Sequence, residues 1–331
     1  MIPVAEAEGV TIHAPKDGIV GFHNSPYPAH VQDGAIDIFF GMDFTAPALS
    51  PVSGKVICIE KNKAGVARHF QADPYDYILG IEQNGVCARM LHVKPEVEES
   101  DEIDIGDRLG RHLRSPLLPF WSSPHIHVEI KECNDMRNPL GAFPLNIIGH
   151  GRFNGPQKLD FTEIDAVIAQ STKDYLIVEP SIDIFGSIGK YHGIAVNVAG
   201  EFALLDAQVP WNCYGGLLLA QESRISLEDE VRFGEVPLGK VVRIHGNMAT
   251  YALGGKLGNG IDRYSKGLTY KDVGRFDVPY KRIKVNGKIF LGISTSLSLY
   301  ENRTLKLVFE EPQEKPLEVG EFLRIELDVG D

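Results

Sequence analysis

The sequence lacks long hydrophobic runs and basic clusters, and each absence excludes a class of partner. No window approaches the ~20 apolar residues that a membrane-spanning helix needs, so we expect no membrane partner. The chain has 33 Lys and Arg residues against 45 Asp and Glu residues, which gives a net charge of −12. Nucleic-acid binders usually carry a basic patch, so we expect no nucleic-acid partner either.

Neither the cysteines nor the N-terminus indicates an exported protein. The four cysteines, Cys58, Cys87, Cys133 and Cys213, form no C-x-x-C pair, and three of them lie in strand-like apolar surroundings. This pattern favours buried free thiols over disulfides. The first residues lack a basic region followed by an apolar run, so no secretory signal is visible and a cytoplasmic location is expected.

Glycine and proline are present in quantity and indicate a mainly β protein. The 34 glycines and 20 prolines are spread evenly and separate short apolar runs, as in chains built from strands and turns. Asn84-Gly85 and Asn286-Gly287 each lie between two strand-like runs. Asn-Gly in that position is the strongest short signal for a β-hairpin, so we predict one hairpin at each site.

The length of 331 residues predicts two domains, because single cores rarely grow beyond about 250–300 residues. The chain is rich in Pro and Gly from residue 139 to 160, and we place the first domain at residues 1–150 and a linker at residues 151–174. A short helix with Thr162 as its N-cap is predicted within the linker, over residues 162–169. Residues 175–331 read as strands throughout, which predicts a β-sandwich or barrel of unknown role.

Histidines 125 and 127 carry the clearest chemical signal. They lie in a strand-like segment, Pro-His-Ile-His-Val-Glu, at residues 124–129. A catalytic zinc ion needs three protein ligands from His, Asp or Glu and one open position for water, whose pKa falls to about 7. A further histidine beside the metal moves protons or stabilises an oxyanion. A His-x-His strand therefore suits a zinc hydrolase, with one histidine on the metal and one in catalysis.

Five short motifs in order extend this signal. They are Ala-Ile-Asp-Ile at 35–38, Ser-Pro-Val-Ser-Gly-Lys-Val at 50–56, Met-Leu-His-Val at 90–93, Ile-Gly-Asp-Arg-Leu-Gly at 105–110 and Ser-Pro-His-Ile-His-Val-Glu-Ile at 123–130. Together they resemble the lysostaphin-like zinc endopeptidases, which cleave glycyl peptide bonds or peptidoglycan cross-bridges. The resemblance covers roughly residues 28–140 and implies an antiparallel β-sheet peptidase domain with a peptide substrate.

The resemblance also implies a role for each matched residue. Asp37 and His127 correspond to zinc ligands. His92 and His125 correspond to the catalytic histidines. Of these two, His125 is the better candidate for polarising the water or receiving its proton, and His92 for stabilising the oxyanion.

The first metal ligand departs from the family pattern. The family has a histidine four residues before the aspartate, where this chain has Asp33. The nearest upstream histidine is His30, which lies seven residues before Asp37. We predict that a longer loop lets His30 reach the metal. Ligation by Asp33 and a degenerate site without metal are the alternatives.

Two functions from different classes follow from this sequence. The first is a zinc-dependent metallopeptidase that hydrolyses a peptide bond with metal-activated water. The alternative is a non-catalytic binding module that keeps the same fold and has lost the metal. The missing histidine at position 33 favours the module, whereas the retention of Asp37, His92, His125 and His127 favours the enzyme. The sequence makes no prediction of the oligomeric state.

Overall fold

The chain forms two compact units, both mainly β. The computed structural model describes residues 1–41, 43–67, 69–212, 214–253 and 282–328. The first unit comprises residues 1–22 and 27–148, and the second comprises residues 23–26 and 149–331. The predicted mainly β fold class is confirmed. None of the helices in the described part of the chain has the length and apolar character of a membrane span.

The first unit consists of short strands with one helical turn. Its strands are β1 Ile2–Ala7, β2 Val10–Ala14, β3 Ile19–Gly21, β4 Ala35–Phe39, β5 Pro47–Leu49, β6 Gly54–Lys63, β7 Tyr75–Gln83, β8 Val86–Leu91, β9 Val93–Pro95, β10 Glu102–Ile103, β11 Arg108–His112, β12 His125–Lys131 and β13 Asn146–Ile147. The helix α1 spans Pro28–Val31, and a 3-10 turn spans Cys133–Asp135.

The largest sheet of the first unit has β12 near its centre. It is antiparallel, in the order β3-β4-β12-β8-β7-β6-β10. Two three-stranded sheets, β13-β1-β2 and β5-β11-β9, complete the unit. All seven residues of β12 are buried, including the two histidines of the His-x-His motif. A buried strand paired on both sides holds its side chains in one register, which is what a metal site requires.

Both predicted Asn-Gly hairpins are confirmed. Asn84 and Gly85 have φ values of 56° and 84° and connect β7 to β8. Asn286 and Gly287 have φ values of 48° and 75° and connect the two strands that flank them. Positive φ at both central residues defines the two-residue turn whose twist matches that of antiparallel strands, and Asn-Gly adopts it at little cost.

The second unit contains longer strands. They are β14 Phe153–Asn154, β15 Glu163–Ser171, β16 Tyr175–Pro180, β17 Phe185–Ile188, β18 Tyr191–Val198, β19 Glu201–Val209, β20 Tyr214–Leu219, β21 Glu230–Phe233, β22 Val236–His245, β23 Met248–Ala252, β24 Arg282–Val285, β25 Lys288–Thr295, β26 Leu297–Ser298, β27 Leu305–Phe309 and β28 Phe322–Asp328.

The pairing of these strands closes two antiparallel rings. One ring runs β15-β16-β27-β25-β24-β28 and back to β15. The other runs β18-β19-β20-β23-β22-β21 and back to β18, and β19 also pairs with β25. Closed rings leave few free strand edges, which protects a β protein from edge-to-edge association. Of the two folds predicted for this half, the structure therefore has the barrel type.

The helix predicted over residues 162–169 is wrong. This segment forms most of strand β15, Glu163–Ser171. Ile164, Ala166 and Ile168 are buried and the residues between them are more exposed. Apolar residues at every second position are the period of a strand, and this pattern outweighs the helix-capping tendency of Thr162.

The prediction that the cysteines are free thiols is wrong for two of them. Cys87 and Cys133 form a disulfide, with their Cα atoms 5.0 Å apart. The register of β8 against β12 places Cys87 opposite Lys131, so the chain reaches Cys133 two residues later at bonding distance. Cys58 is a free cysteine, and Cys213 lies outside the described residues.

We expect Cys133→Ser to lower the free energy of unfolding of the first unit by about 2–4 kcal/mol, because the bond closes a loop between positions 46 residues apart. Urea unfolding, followed by Trp121 fluorescence in a Trp211→Phe background, measures this change. Cys58→Ser is the matched control and leaves the transition in place. Equal midpoints for the oxidised and reduced protein would contradict the prediction.

Candidate metal centre

Three backbone elements bring the candidate ligands together. Strand β4 pairs with β12 so that Asp37 stands directly opposite His127. Directly opposed residues of an antiparallel pair have Cβ atoms about 4.5–5.5 Å apart, so their side chains meet on one face. Helix α1 contributes His30 from the segment that precedes β4.

The three side chains converge on one point. The Asp37 Oδ1 atom lies 3.1 Å from His30 Nε2 and 2.9 Å from His127 Nδ1. One ligand atom from each residue lies within 4.8 Å of the other two. The exposed fractions of His30, Asp37 and His127 are 0%, 4% and 3%, so these groups are shielded from bulk solvent. Two imidazole nitrogens and one carboxylate oxygen are the donor set of a catalytic zinc site.

Each candidate histidine ligand has an inner ring nitrogen, which faces Asp37, and an outer ring nitrogen, which faces away from it. The outer nitrogen is hydrogen-bonded in both residues. His30 Nδ1 donates to the carbonyl oxygen of Phe22 at 2.7 Å. His127 Nε2 donates to Glu129 Oε1 at 2.9 Å. Carbonyl and carboxylate oxygens only accept, so each outer nitrogen keeps a hydrogen-bond partner for its proton when a cation takes the place of the proton on the inner nitrogen. In that state the inner nitrogens, His30 Nε2 and His127 Nδ1, would offer lone pairs to the cation, as metal-ligating histidines do.

With lone pairs on both inner nitrogens, three acceptor atoms would face one another. Only a cation or added protons can make such a contact favourable in a buried place. Burial lowers the pKa of His127, but hydrogen bonds to Asp37 and Glu129 outweigh burial and raise it to about 9. Burial also opposes ionisation of Asp37, yet the adjacent histidines hold the pKa of this carboxyl well below its usual range. The site therefore attracts positive charge at neutral pH.

The structure places His30, and not Asp33, in this cluster. His30 lies in the short helix α1, and the turn that follows the helix takes up the extra residues before Asp37. Asp33 follows it with φ of 61°, and its backbone carbonyl accepts a hydrogen bond from Leu145 N at 2.8 Å. Among the described residues the group able to hold a metal consists of His30, Asp37 and His127, so the longer-loop prediction fits the geometry.

The two predicted catalytic histidines lie beside the candidate ligands. His125 Nε2 is 3.7 Å from Asp37 Oδ2, and the His92 and His125 ring centroids are 5.2 Å apart. The His92 and His127 ring centroids are 6.3 Å apart. Burial lowers the pKa of His125 to about 4, despite the opposing effect of Asp37, so this imidazole is neutral at pH 7. All five predicted site residues therefore meet in one place, and their catalytic roles stay predictions.

A buried network behind His127 was missed from the sequence. Arg89 on β8 stands opposite Glu129, and its Nη1 donates to Glu129 Oε1 and, at 3.2 Å, to the Tyr27 hydroxyl. Arg89 Nε donates to the Met136 carbonyl at 2.7 Å. Glu129 has a sequence signal, because it lies two residues after His127 and thus on the same face of β12. Arg89 has none, since only the pairing of β8 with β12 brings it there.

Comparisons with known proteins add little to this geometry. Residues 14–147 match a family model described as the N-terminal domain of a domain of unknown function, DUF8155. No curated protein matches the chain. Among solved structures, a solution structure of lysostaphin is similar at 12% sequence identity, over 56% of this chain and 86% of that chain, with a TM-score of 0.25. This similarity is weak.

We expect Glu129→Gln to weaken zinc binding about 10–100-fold. The neutral amide is a weaker hydrogen-bond acceptor for His127 Nε2 than the carboxylate, so it orients the His127 ring less firmly. Competition with a fluorescent chelator measures the dissociation constant. The matched control is Glu132→Gln, which alters an exposed carboxylate three residues further along. Circular dichroism checks that the variants fold. Equal affinities for the two variants would refute a supporting role for Glu129.

Proposed function

We propose that the first unit is a zinc-dependent hydrolase that cleaves a peptide bond with an activated water molecule. The convergence of His30 Nε2, Asp37 Oδ1 and His127 Nδ1 carries this proposal. These residues would hold the ion through three donors, and a fourth position for water completes a catalytic zinc site.

The residues around the ligands fit hydrolysis. A bound zinc ion supplies a Lewis acid and lowers the pKa of its water to about 7. Next to the three ligands, His92 and His125 offer two imidazoles for proton transfer and for stabilising the oxyanion. The ring of His125 is oriented by the hydrogen bond from its Nδ1 to the Ser123 carbonyl at 2.9 Å. Neither histidine is needed to hold the metal, so both are available for chemistry.

The alternative, a metal-free binding module, explains less of the site. In such a module a proton on the imidazole of His127 would join it to Asp37, which accounts for that contact but gives no role to the other imidazoles around it. The metallopeptidase gives each of the five residues a role, because three donors hold the ion and His92 and His125 serve the chemistry. The choice of a peptide as substrate rests on the five-motif resemblance, which makes pentaglycine the natural probe.

Substitutions separate the ligands from their neighbours. We expect about one zinc per chain in the wild type, and loss of most of it in His127→Ala and His30→Ala, because each removes one of three ligands. Asp33→Ala keeps its zinc and is the matched control for His30→Ala. His125→Ala also keeps its zinc but loses hydrolysis of pentaglycine. Elemental analysis by mass spectrometry measures the metal content.

Several outcomes of that experiment contradict the proposal. Less than about a tenth of an equivalent of zinc in the wild type, after expression with added zinc, refutes the enzyme. A predominance of iron indicates a different chemistry for the same two-histidine, one-carboxylate donor set. Equal losses in the variants at positions 30 and 33 refute the longer-loop ligation. Full metal occupancy in His127→Ala removes the ligand assignment as a whole.

The affinity for zinc should depend on pH in a stated direction. The raised pKa of His127, about 9, means that below this pH a proton occupies the nitrogen that zinc requires. We therefore expect zinc binding to release a proton and its affinity to rise up to about tenfold per pH unit from pH 6 towards pH 9. Calorimetry in buffers of different ionisation enthalpy counts the released protons.

The control for this prediction is His125→Ala. Burial lowers the pKa of His125 to about 4, so this group does not titrate between pH 6 and 9 and its removal leaves the slope unchanged. A wild-type affinity that is constant over this range would show that no proton competes with the metal at His127.

A further inference from the structure

We propose that Asp76 is a positioning residue that fixes the tautomer of His92, so that His92 Nε2 receives the proton in the reaction. The inference rests on the proposed hydrolytic function, which it extends by a carboxylate that no motif contains. It gives different roles to His92 and His125, the two histidines that lie beside the candidate zinc ligands.

Asp76 accepts hydrogen bonds from both the backbone and the ring of His92. Asp76 Oδ2 accepts a hydrogen bond from His92 Nδ1 at 2.6 Å, and Asp76 Oδ1 accepts one from the His92 backbone N–H at 3.0 Å. The same Oδ1 atom also accepts from the Tyr77 backbone N–H at 2.7 Å, and the Ser115 side chain donates to this carboxylate. Asp76 is 4% exposed, so these bonds face no competition from water.

His92 is held in a backbone conformation that histidine rarely adopts. Its φ is +67°, in the left-handed region, at the point between strands β8 and β9. The backbone N–H of His92 donates to Asp76, and the backbone carbonyl of His92 accepts a hydrogen bond from Leu113 N at 2.8 Å. Where glycine or asparagine would fit with less strain, a histidine clamped on both sides indicates a functional side chain.

The hydrogen bond to Asp76 determines which ring nitrogen of His92 can accept a proton. A carboxylate only accepts, so His92 Nδ1 carries the hydrogen and Nε2 of the neutral ring carries a lone pair. Nε2 can take the proton that the attacking water loses as its oxygen bonds to the carbonyl carbon. The same proton passes to the amine nitrogen when the C–N bond breaks, which completes hydrolysis.

The hydrogen-bond acceptor of Nδ1 differs between His92 and His125. His125 Nδ1 donates to the neutral carbonyl of Ser123, whereas His92 Nδ1 donates to an ionised carboxylate. A carboxylate partner stabilises the imidazolium that forms on proton uptake far more than a carbonyl does. The hydrogen bonds therefore favour His92 as the proton acceptor, in place of His125, which the family resemblance favours.

The primary test reads the His92 tautomer directly. Two-bond ¹⁵N–¹H correlation spectra of the zinc-loaded full chain distinguish the two tautomers, and His92→Gln identifies the His92 signals. We expect Nδ1–H in the wild type. In Asp76→Asn the remaining oxygen stays with the two backbone N–H groups, so the amide NH₂ faces Nδ1 and we expect the Nε2–H tautomer instead.

Kinetics supply the second readout. With pentaglycine as probe, we expect Asp76→Asn to lower kcat about 10²–10⁴-fold, because the ring no longer presents a lone pair, while KM and zinc content stay unchanged. The matched control is Asp73→Asn. Among the described residues the Asp73 carboxylate accepts its hydrogen bond from the nearby Tyr75 N, at 3.1 Å, so its substitution leaves the tautomer and kcat as they are.

The outcomes that overturn the inference differ from those that overturn the proposed function. An Nε2–H tautomer of His92 in the wild type refutes the role of Asp76, as does an Asp76→Asn protein with unchanged tautomer and kcat. If Asp76→Asn fails to fold, the wild-type spectrum still decides. A wild-type chain without zinc or without hydrolysis instead refutes the proposed function, and the tautomer is measured independently of both.

Discussion

The register of β12 against its two neighbours is the constraint on which the candidate metal centre depends. On one side it sets His127 opposite Asp37, and on the other it sets Glu129 opposite Arg89. Strand β8 ends one residue before His92, so the same register also brings His92 to the site. A slip of one residue turns every side chain of β12 to the other face and would separate all of these groups at once.

Strand β12 meets this constraint at the expense of an ordinary core. Its residues alternate between an apolar face and a polar face, and both faces are buried. The polar face, made of His125, His127, Glu129 and Lys131, is tolerated because each member has partners. Lys131 Nζ, for example, donates to the carbonyls of Asn138 and Leu140. A buried polar face is a local conflict with stability, and such conflicts concentrate at functional sites.

The sequence predicts the parts of this structure that depend on neighbouring residues. Alternation and the Asn-Gly pairs predict strands and hairpins, and motif order predicts that four of the five site side chains meet, with His30 added as the nearest upstream histidine. The helix predicted over residues 162–169 is wrong because it rests on Thr162 as an N-cap, whereas the buried apolar residues of this segment recur at every second position.

The remaining features join distant positions for which no local pattern exists. Cys87 lies 46 residues from Cys133, Arg89 lies 40 residues from Glu129, and Asp76 lies 16 residues from His92. Only strand pairing brings each of these partners together.

The orientation of the candidate ligands depends on groups that the fold itself holds in place. The Phe22 carbonyl accepts a hydrogen bond from the His30 ring, and the Glu129 carboxylate accepts one from the His127 ring. Glu129 is held in turn by its position on β12 and by Arg89 on the neighbouring strand β8. Strand pairing therefore orients both rings together with Asp37, which is the preorganisation that a binding or catalytic site requires.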